Sequence, residues 1–190
     1  MAIGTPTSLG TAISGTTTVS SKVFTTNAAI TAGNLVVVAI GWYNSGSSTV
    51  AINSVVDSGG TNTYTNAVTI GSGGSTPSAV ALYYVKNAAA LASGGTITVT
   101  WASNVNSQSI MAYQVTGVDT ASPLDKTATF AAASGTNPSV STGTLSQASE
   151  IIFGAAGGYN AGTFTESSGF TSLAQNSPNG NLLAFAYDIV

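Results

Sequence analysis

The sequence predicts an all-β protein, an antiparallel β-sandwich of the jelly-roll-like kind. Apolar residues alternate with Thr and Ser along most of the chain, as expected of half-buried strands. Clusters of Gly, Asn, Ser and Pro interrupt this alternation at intervals of roughly 8–12 residues, which is typical of sandwiches and barrels. A hydrophobic content of 43% over 190 residues is enough to build the core of one domain.

Most of the chain divides into segments with the alternation and the β-branched residues of strands. They lie at 16–25, 34–43, 49–57, 63–70, 78–86, 95–102, 108–116, 126–131, 139–146, 150–157, 169–174 and 181–190. Only Asn87–Ala92 has a helical composition, and so short a segment forms one turn at most. Residues 1–18 predict a flexible or strand-donating N-terminal arm, able to add a strand to a neighbour's sheet, and residues 19–190 predict a single sandwich domain.

Two of the predicted strands are apolar almost throughout, and their sequences align with each other. A second pair of segments aligns as well, with Tyr84 opposite Tyr187. The aligned segments are TAGNLVVVAIGWYN (31–44) with QASEIIFGAAGGYN (147–160), and AVALYYVK (79–86) with LLAFAYDI (182–189). Two explanations stay open: a degenerate internal duplication, or strands that are apolar because both of their faces are buried.

The two copies differ beyond the second aligned segment. The first copy continues after Tyr84 through two further predicted strands, whereas the second stops at Val190, soon after Tyr187. An apolar strand edge without a partner is a template for aggregation. We therefore expect the C-terminal strand to leave an edge that needs a partner. The two strands are absent from this chain, supplied by a neighbouring chain, or made unnecessary by a different local fold.

The composition excludes several classes of function. Charged residues make up 5% of the chain, against about 25% in ordinary soluble domains. There is no Arg, His or Cys, which excludes Ser–His and Cys–His nucleophile pairs, Cys/His zinc sites and disulfides. A net charge of −3 argues against nucleic acid as a partner. The longest strongly apolar stretch, at 35–40, is far shorter than the roughly 20 residues of a membrane span, so we expect no membrane partner.

The carboxylates are the first candidates for a site. Asp57 lies in the oxygen-rich segment DSGGTNTYT, but this segment lacks the spacing of a calcium loop, and a turn between strands is the favoured interpretation. Asp119 and Asp125 flank a Pro-centred turn in VDTASPLD, which they are expected to cap. Glu150 and Glu166 are the only glutamates and form the one candidate pair for glycoside hydrolysis. Because nothing places them across a cleft, we expect no catalytic, cofactor-binding or metal site.

The aromatic residues are the remaining candidates. Trp42, Tyr43 and Trp101 end predicted strands, where a ring could stack on a sugar at the rim of the sandwich. Tyr83 and Tyr84 are adjacent in a strand, so they point to opposite faces, and we expect one in the core and one at the surface. The favoured interpretation of these rings is packing in the core or at a subunit interface.

Several segments resemble a broad group of jelly-roll-like β-sandwich modules of phage virion proteins, including decoration and fibre components, and of secreted bacterial surface proteins. The resemblance covers the chain from about residue 20 onward. It is carried by GNLVVVAIGW (33–42), SVVDSGGTNTYT (54–65), VALYYVKNAAALASGGTITVTW (80–101), YQVTGVDTASPLD (113–125) and EIIFGAAG with GFTSLA (150–174). It implies a sandwich fold, and it leads us to expect further strands after FAYDIV.

Together these observations predict a non-enzymatic structural protein of a viral particle surface, most closely a phage capsid decoration or fibre-type protein acting in multiple copies. The N-terminus lacks the basic and apolar segments of a signal peptide, which agrees with a location at the virion surface. The expected partners are capsid or tail proteins and copies of this chain, with surface glycans as a further candidate and no cofactor. The alternative is a carbohydrate-binding module of a secreted, extracellular bacterial surface protein.

Overall fold

The computed structural model describes residues 2–46, 49–72, 78–131, 137–160 and 162–190, and they form an all-β sandwich. The only helical element in these ranges is a 3-10 turn at Pro178–Gly180. The strands are β1 (Thr7–Ser8), β2 (Ile13–Gly15), β3 (Val19–Thr25), β4 (Leu35–Tyr43), β5 (Ile52–Asp57), β6 (Thr65–Gly71), β7 (Ser78–Val85), β8 (Thr96–Val105), β9 (Ser107–Val115), β10 (Ile151–Tyr159), β11 (Thr171–Asn176) and β12 (Asn181–Ile189).

The strands form three sheets, and every pairing within them is antiparallel. The central sheet has the order β1-β9-β4-β7-β6, and β2 also pairs with β9. The first outer sheet is β3-β8-β5, and the second outer sheet is β10-β12-β11. When β1 and β2 are counted as one strand, the central and first outer sheets have the strand order of a jelly roll, with one exception. Strand β6 pairs with β7 in the central sheet, whereas in a jelly roll it would pair with β5 in the other sheet. The predicted sandwich class is confirmed.

The central sheet is covered on both faces, which explains its continuous apolar strands. Alternate residues of β4 enter two separate hydrophobic cores, because successive side chains of a strand point to opposite faces. The first core, facing the first outer sheet, takes Val36, Val38, Ile40 and Trp42. The second core, facing the second outer sheet, takes Leu35, Val37 and Ala39. Burial on both faces, one of the two explanations offered for the apolar run, therefore holds for β4.

The first 18 residues, predicted as a flexible or strand-donating arm, contribute β1 and β2 to the chain's own central sheet; Met1 lies outside the described residues. Thr7 pairs with Gln114, and Ile13 pairs with Ile110. Leu9 lies between the two strands, fully buried in the first core. Because β9 would otherwise expose its outer edge, this segment completes the hydrogen bonding of the central sheet.

Two predicted strands are wrong: residues 126–131 and 139–146 contain no strand in the described part of the segment that joins β9 to β10. Phe130 and Val140 are 50% and 57% exposed there, so the apolar side chains of the alternation face solvent. A segment with high β-propensity forms a strand only where a sheet edge can pair with it and one of its faces can be buried. The helical turn predicted at Asn87–Ala92 is also wrong. Its Leu91 instead forms an isolated antiparallel bridge with Ile30.

The three strands β6-β7-β4 recur as β11-β12-β10 with the same order and the same register. Val37 pairs with Tyr84 in the first unit, and Phe153 pairs with Tyr187 in the second. The sequence alignment likewise makes Val37 equivalent to Phe153 and Tyr84 equivalent to Tyr187. Thr65 and Thr171 also occupy equivalent places, opposite these two tyrosines. Both edge strands have a register shift at the same point, after Asn66 in β6 and after Ser172 in β11.

The two units pack face to face in a reciprocal manner. A Cβ atom on Gly41 would lie 3.0 Å from Cβ of Leu183, and a Cβ atom on Gly157 would overlap Val80. In the sequence alignment Gly41 corresponds to Gly157, and Val80 corresponds to Leu183, so the two contacts are equivalent. Tyr43 stacks on its own counterpart, Tyr159, with ring centroids 4.6 Å apart. The units are therefore related by a pseudo-two-fold axis, as in an isologous dimer within one chain.

Candidate functional site

Asp57, the candidate for a calcium site, is the centre of a hydrogen-bonded turn. It is buried and ends β5, and one carboxylate oxygen accepts hydrogen bonds from the N–H groups of Gly59 and Gly60, both at 2.9 Å. The other oxygen accepts from Asn62 Nδ2 at 2.7 Å and from the Tyr64 hydroxyl at 3.3 Å. The donors direct their hydrogens at both carboxylate oxygens, which are the atoms that would have to bind a cation. Asp57 is therefore a structural carboxylate.

The Asp57 network also perturbs its tyrosine. Burial and the neighbouring Asp57 carboxylate both raise the pKa of Tyr64, because they disfavour a phenolate at this position. Tyr64 thus stays a hydrogen-bond donor at all ordinary pH values. In the described ranges no group of three or more Asp, Glu, His or Cys side chains is close enough to hold a metal ion.

Asp119 and Asp125 serve different parts of the coil and do not converge. Asp119 Oδ1 accepts from the N–H of Ala121 at 2.8 Å, which is the capped turn that the sequence predicts. Asp125 Oδ2 accepts from the N–H of Ser146 at 2.9 Å and so ties together two distant points of the same segment. Hydrogen bonds from Ser146 hold the pKa of Asp125 below its ordinary value.

Glu150 and Glu166 are not arranged as a hydrolytic pair. The backbone of Glu150 pairs with Val190, whereas Glu166 accepts from Gln175 Nε2 at 3.3 Å, where β11 lies beside Ala184 of β12. The partners of the Glu166 carboxylate, Ser172 and Gln175, lie beside Ala186 and Ala184 of β12. At about 3.3 Å per residue these positions are roughly 13–20 Å from Val190 along β12, beyond the spacing of either glycosidase geometry. Hydrogen bonds lower the pKa of Glu166, and the bond with Ser172 has the largest effect. A general acid needs a raised pKa instead.

The tryptophans lie inside the protein and offer no platform for a sugar. Trp42 and Trp101 are 1% and 2% exposed, and their rings pack 6.3 Å apart in the first core. Tyr83 and Tyr84 point to opposite faces as predicted, but the expectation of one core and one surface ring is wrong. Tyr83 packs against the first core and Tyr84 against the second, because both faces of the central sheet are covered.

Sheet edges, rather than side-chain clusters, distinguish one surface of the molecule from the rest. Natural sheets protect their edges with short strands, bulges or charges, which prevent pairing with another chain. Here β1 and β2 are only two and three residues long. The pairings of the other edge strands β3, β5, β6 and β11 with their neighbours each have a register shift, and β3 also has Lys22. The side chain of Gln175 further covers β11 through two hydrogen bonds to the backbone of Phe164.

The remaining edge strand, β10, lacks every one of these devices. It pairs with β12 over nine residues without a register shift, and its sequence IIFGAAGGY contains no charge and no proline. Glu150 and Val190 exchange two backbone hydrogen bonds, so the alternation of an antiparallel ladder directs the next residue, Ile151, and every second residue after it away from β12. Within the described residues, no backbone group bonds to this outer edge.

The open edge lies on a different strand from the one that the sequence predicted. We expected the C-terminal strand to need a partner, but β12 is the middle strand of its sheet, paired with β10 on one side and β11 on the other. The unprotected edge belongs to β10. The alignment makes β10 the counterpart of β4, but only the structure shows that β4 has a neighbour on each side and β10 does not.

The described residues include no helix that is long and apolar enough to cross a membrane. No protein-family model, no curated protein and no solved structure matches this chain.

Proposed function

We propose that this chain is a non-enzymatic structural protein that works in multiple copies on the surface of a viral particle, of the capsid decoration or fibre type. The observation that carries the proposal is the open, uncharged edge of β10 on an otherwise edge-protected sandwich. Such an edge invites association with another chain. The resemblance of the strand and turn segments to virion modules supports the same assignment.

The distribution of ionisable groups supports a structural role rather than catalysis. The carboxylates singled out as candidates accept hydrogen bonds from neighbouring backbone or side-chain donors, and those of Asp57 and Asp119 cap turns. The one ion pair in the described residues joins Lys126 to the adjacent Asp125. A surface of hydroxyl and amide groups makes wet, polar contacts with neighbouring chains at low electrostatic cost.

Mass spectrometry of purified virus particles from the source culture tests the proposal. Because the chain has three Lys and no Arg, the digest should use chymotrypsin rather than trypsin. We expect peptides of this chain in multiple copies per particle. Its absence from particles overturns the proposal. So does hydrolysis of a polysaccharide or ester that is lost in Glu150→Gln or Glu166→Gln. Specific binding on a glycan array by a chain that is absent from particles supports the alternative, a carbohydrate-binding module.

A further inference from the structure

The repeat within the chain shows what kind of strand fits beside the open edge of β10. In the first unit, β9 pairs antiparallel along the whole of β4 and also contacts β11. There Tyr113 donates a hydrogen bond to the carbonyl of Leu173 at 3.0 Å, and Ser109 donates to Asn176 Oδ1 at 2.5 Å. In the second unit, β10 takes the place of β4, and no described strand takes the place of β9. The open edge therefore fits an antiparallel strand of about the length of β10.

A strand in this place would lie over β6. Strand β10 packs on β7, and β6 extends the central sheet beyond it. Val68 and Ile70 of β6 pair with Leu82 and Val80, which pack in the second core, so all four side chains point to the side of β10. Val68 and Ile70 are only partly buried. This space, the β10 groove, has the backbone groups of β10 along one side and the apolar side chains of β6 as its floor.

The position of β6 restricts what can enter the β10 groove. A strand that carried a covering sheet on its inner side would bring that sheet into the space that β6 occupies. Each described strand of this chain already pairs within one of the three packed sheets, so a folded second copy has no free strand to insert. The groove therefore fits a single extended segment that belongs to no folded sheet.

We propose that the β10 groove binds an extended, uncharged segment of another protein of the viral particle, which adds one antiparallel strand to β10. This contact depends on the proposed function, because it attaches the chain to the particle. In such strand addition, backbone hydrogen bonds give affinity, and alternate side chains give specificity. The strands that line the groove, TNAVTIG, SAVALYYV and IIFGAAGGY, carry no charge. A charged side chain facing them would lose its hydration without gaining a partner, so the segment is neutral there.

The repeat also indicates which side chain of the segment lies deepest over β6. In the first unit, Ser109 of β9 lies opposite Gly41 and contacts Asn176 of β11. The equivalents of Gly41 and Asn176 in the second unit's groove are Gly157 and Ile70, since Asn176 and Ile70 pair with aligned residues of β12 and β7. The polar contact of the first unit thus becomes an apolar one. We therefore expect a large apolar residue of the segment opposite Gly157.

Fluorescence anisotropy with a labelled synthetic peptide tests the groove on the full chain. The probe has the sequence of residues 107–115, SQSIMAYQV, because this strand fills the equivalent place in the first unit. We expect saturable binding of this peptide and no binding of a scrambled peptide of the same composition. Ser109→Leu in the peptide should tighten binding about fivefold, because the leucine covers Ile70.

Two variants of the chain locate the bound peptide. Ala155→Pro removes an outward N–H in the middle of the edge and leaves the ladder with β12 intact, so we expect about tenfold weaker binding. Val68→Thr makes the floor polar and should weaken binding about fivefold, which keeps the test decisive even if the proline variant fails to fold. Val56→Thr is the matched control, because Val56 is 50% exposed on the first outer sheet, and binding should be unchanged.

Disulfide formation checks the register, because the chain has no cysteine of its own. Met111 lies opposite Ala39 in the first unit, so residue 111 of the bound peptide lies opposite Ala155, the equivalent of Ala39. Their Cα atoms would be about 5.5 Å apart, which a disulfide can bridge. On oxidation, we expect Ala155→Cys to cross-link to a peptide with Met111→Cys and at least tenfold less to one with Ile110→Cys, whose side chain points to the other face.

Three results would overturn the proposed contact: a peptide that does not bind, binding that both Ala155→Pro and Val68→Thr leave unchanged, or cross-linking without preference for residue 111. Self-association of the wild type that Ala155→Pro abolishes would also overturn it, because a second copy would then occupy the groove.

Virus particles separate this contact from the proposed function. A photoreactive cross-linker on Ala155→Cys should attach to a neutral segment of another particle protein. Particles that contain the chain, but in which this cross-linker attaches to no other protein, overturn only the β10 contact. A chain that binds the peptide as expected but is absent from particles overturns the virion assignment alone.

Discussion

At the scale of single residues, the carboxylate that looks most like a ligand is a structural one. Asp57 accepts four hydrogen bonds, two from backbone N–H groups in its own turn and two from the side chains of Asn62 and Tyr64. Asn62 in turn donates to the carbonyl of Ala89 and accepts from the N–H of the same residue. The network therefore joins the turn after β5 to the segment after β7, which are distant in sequence.

We predict that Asp57→Ala lowers the free energy of unfolding by about 2–4 kcal/mol, because several partly buried donors lose a charged acceptor. Asp119→Ala is the matched control: its carboxylate caps an exposed turn, and we expect a loss below about 1 kcal/mol. Urea denaturation measures both. Calcium should leave the melting temperature of the wild type unchanged. A calcium-dependent rise that disappears in Asp57→Ala would contradict the structural role.

At the scale of elements, the packing of the two repeated units depends on a pair of glycines. Gly41 and Gly157 occupy equivalent positions, and each admits a large side chain of the opposite unit, Leu183 or Val80. The glycine has no Cβ atom, so the sheets approach closely at these two points. The alignment of LVVVAIGW with IIFGAAGG already pairs the two glycines, but it does not indicate that they face the opposite unit.

We predict that Gly157→Ala destabilises the protein by about 1–3 kcal/mol, since its new methyl group would overlap the buried side chain of Val80. Gly154→Ala is the control on the same strand. Its Cβ atom would lie 3.4 Å from Phe170 Cε1, an ordinary contact, and the change should be small. Adding Val80→Ala to Gly157→Ala should recover part of the loss, which a double-mutant cycle measures. Strictly additive effects would contradict the reciprocal packing.

At the scale of the whole molecule, the first residues of the chain belong to the sandwich. Leu9 is fully buried, its N–H donates to the carbonyl of Ala112, and its carbonyl accepts from the N–H groups of Asn27 and Ala28. Downstream, the described part of the segment between β9 and β10 lies mostly exposed and without strands. The chain thus uses its polar N-terminus for the core and leaves a segment with predicted strands on the surface.

We predict that Leu9→Ala lowers the free energy of unfolding by about 2–5 kcal/mol, the range for a leucine removed from a packed core. Leu124, which is 44% exposed in the segment after β9, provides the control. Leu124→Ala should change stability by no more than about 0.5 kcal/mol. Equal and small effects of the two substitutions would show that residues 2–18 are a tail in solution, as the flexible-arm prediction has it.

The sequence by itself determined the fold class, the positions of most strands and the alignment of the segments that form the two repeated units. These features depend on local alternation, turn residues and aligned apolar segments, which are present in the chain before it folds. Tertiary structure decided which β-forming segments became strands. Residues 126–131 alternate as well as residues 65–71 do, but only the latter lie beside a strand edge, that of β7.

Tertiary structure also decided where the candidate residues lie and which edge is open. Trp42 and Trp101 end predicted strands, yet both are buried in the first core, and no local pattern reveals a third layer. The same holds for β10. Its uncharged sequence was visible from the start, but an edge exists only once neighbours are assigned. Pairing between strands that are distant in sequence makes that assignment, and local alternation does not encode it.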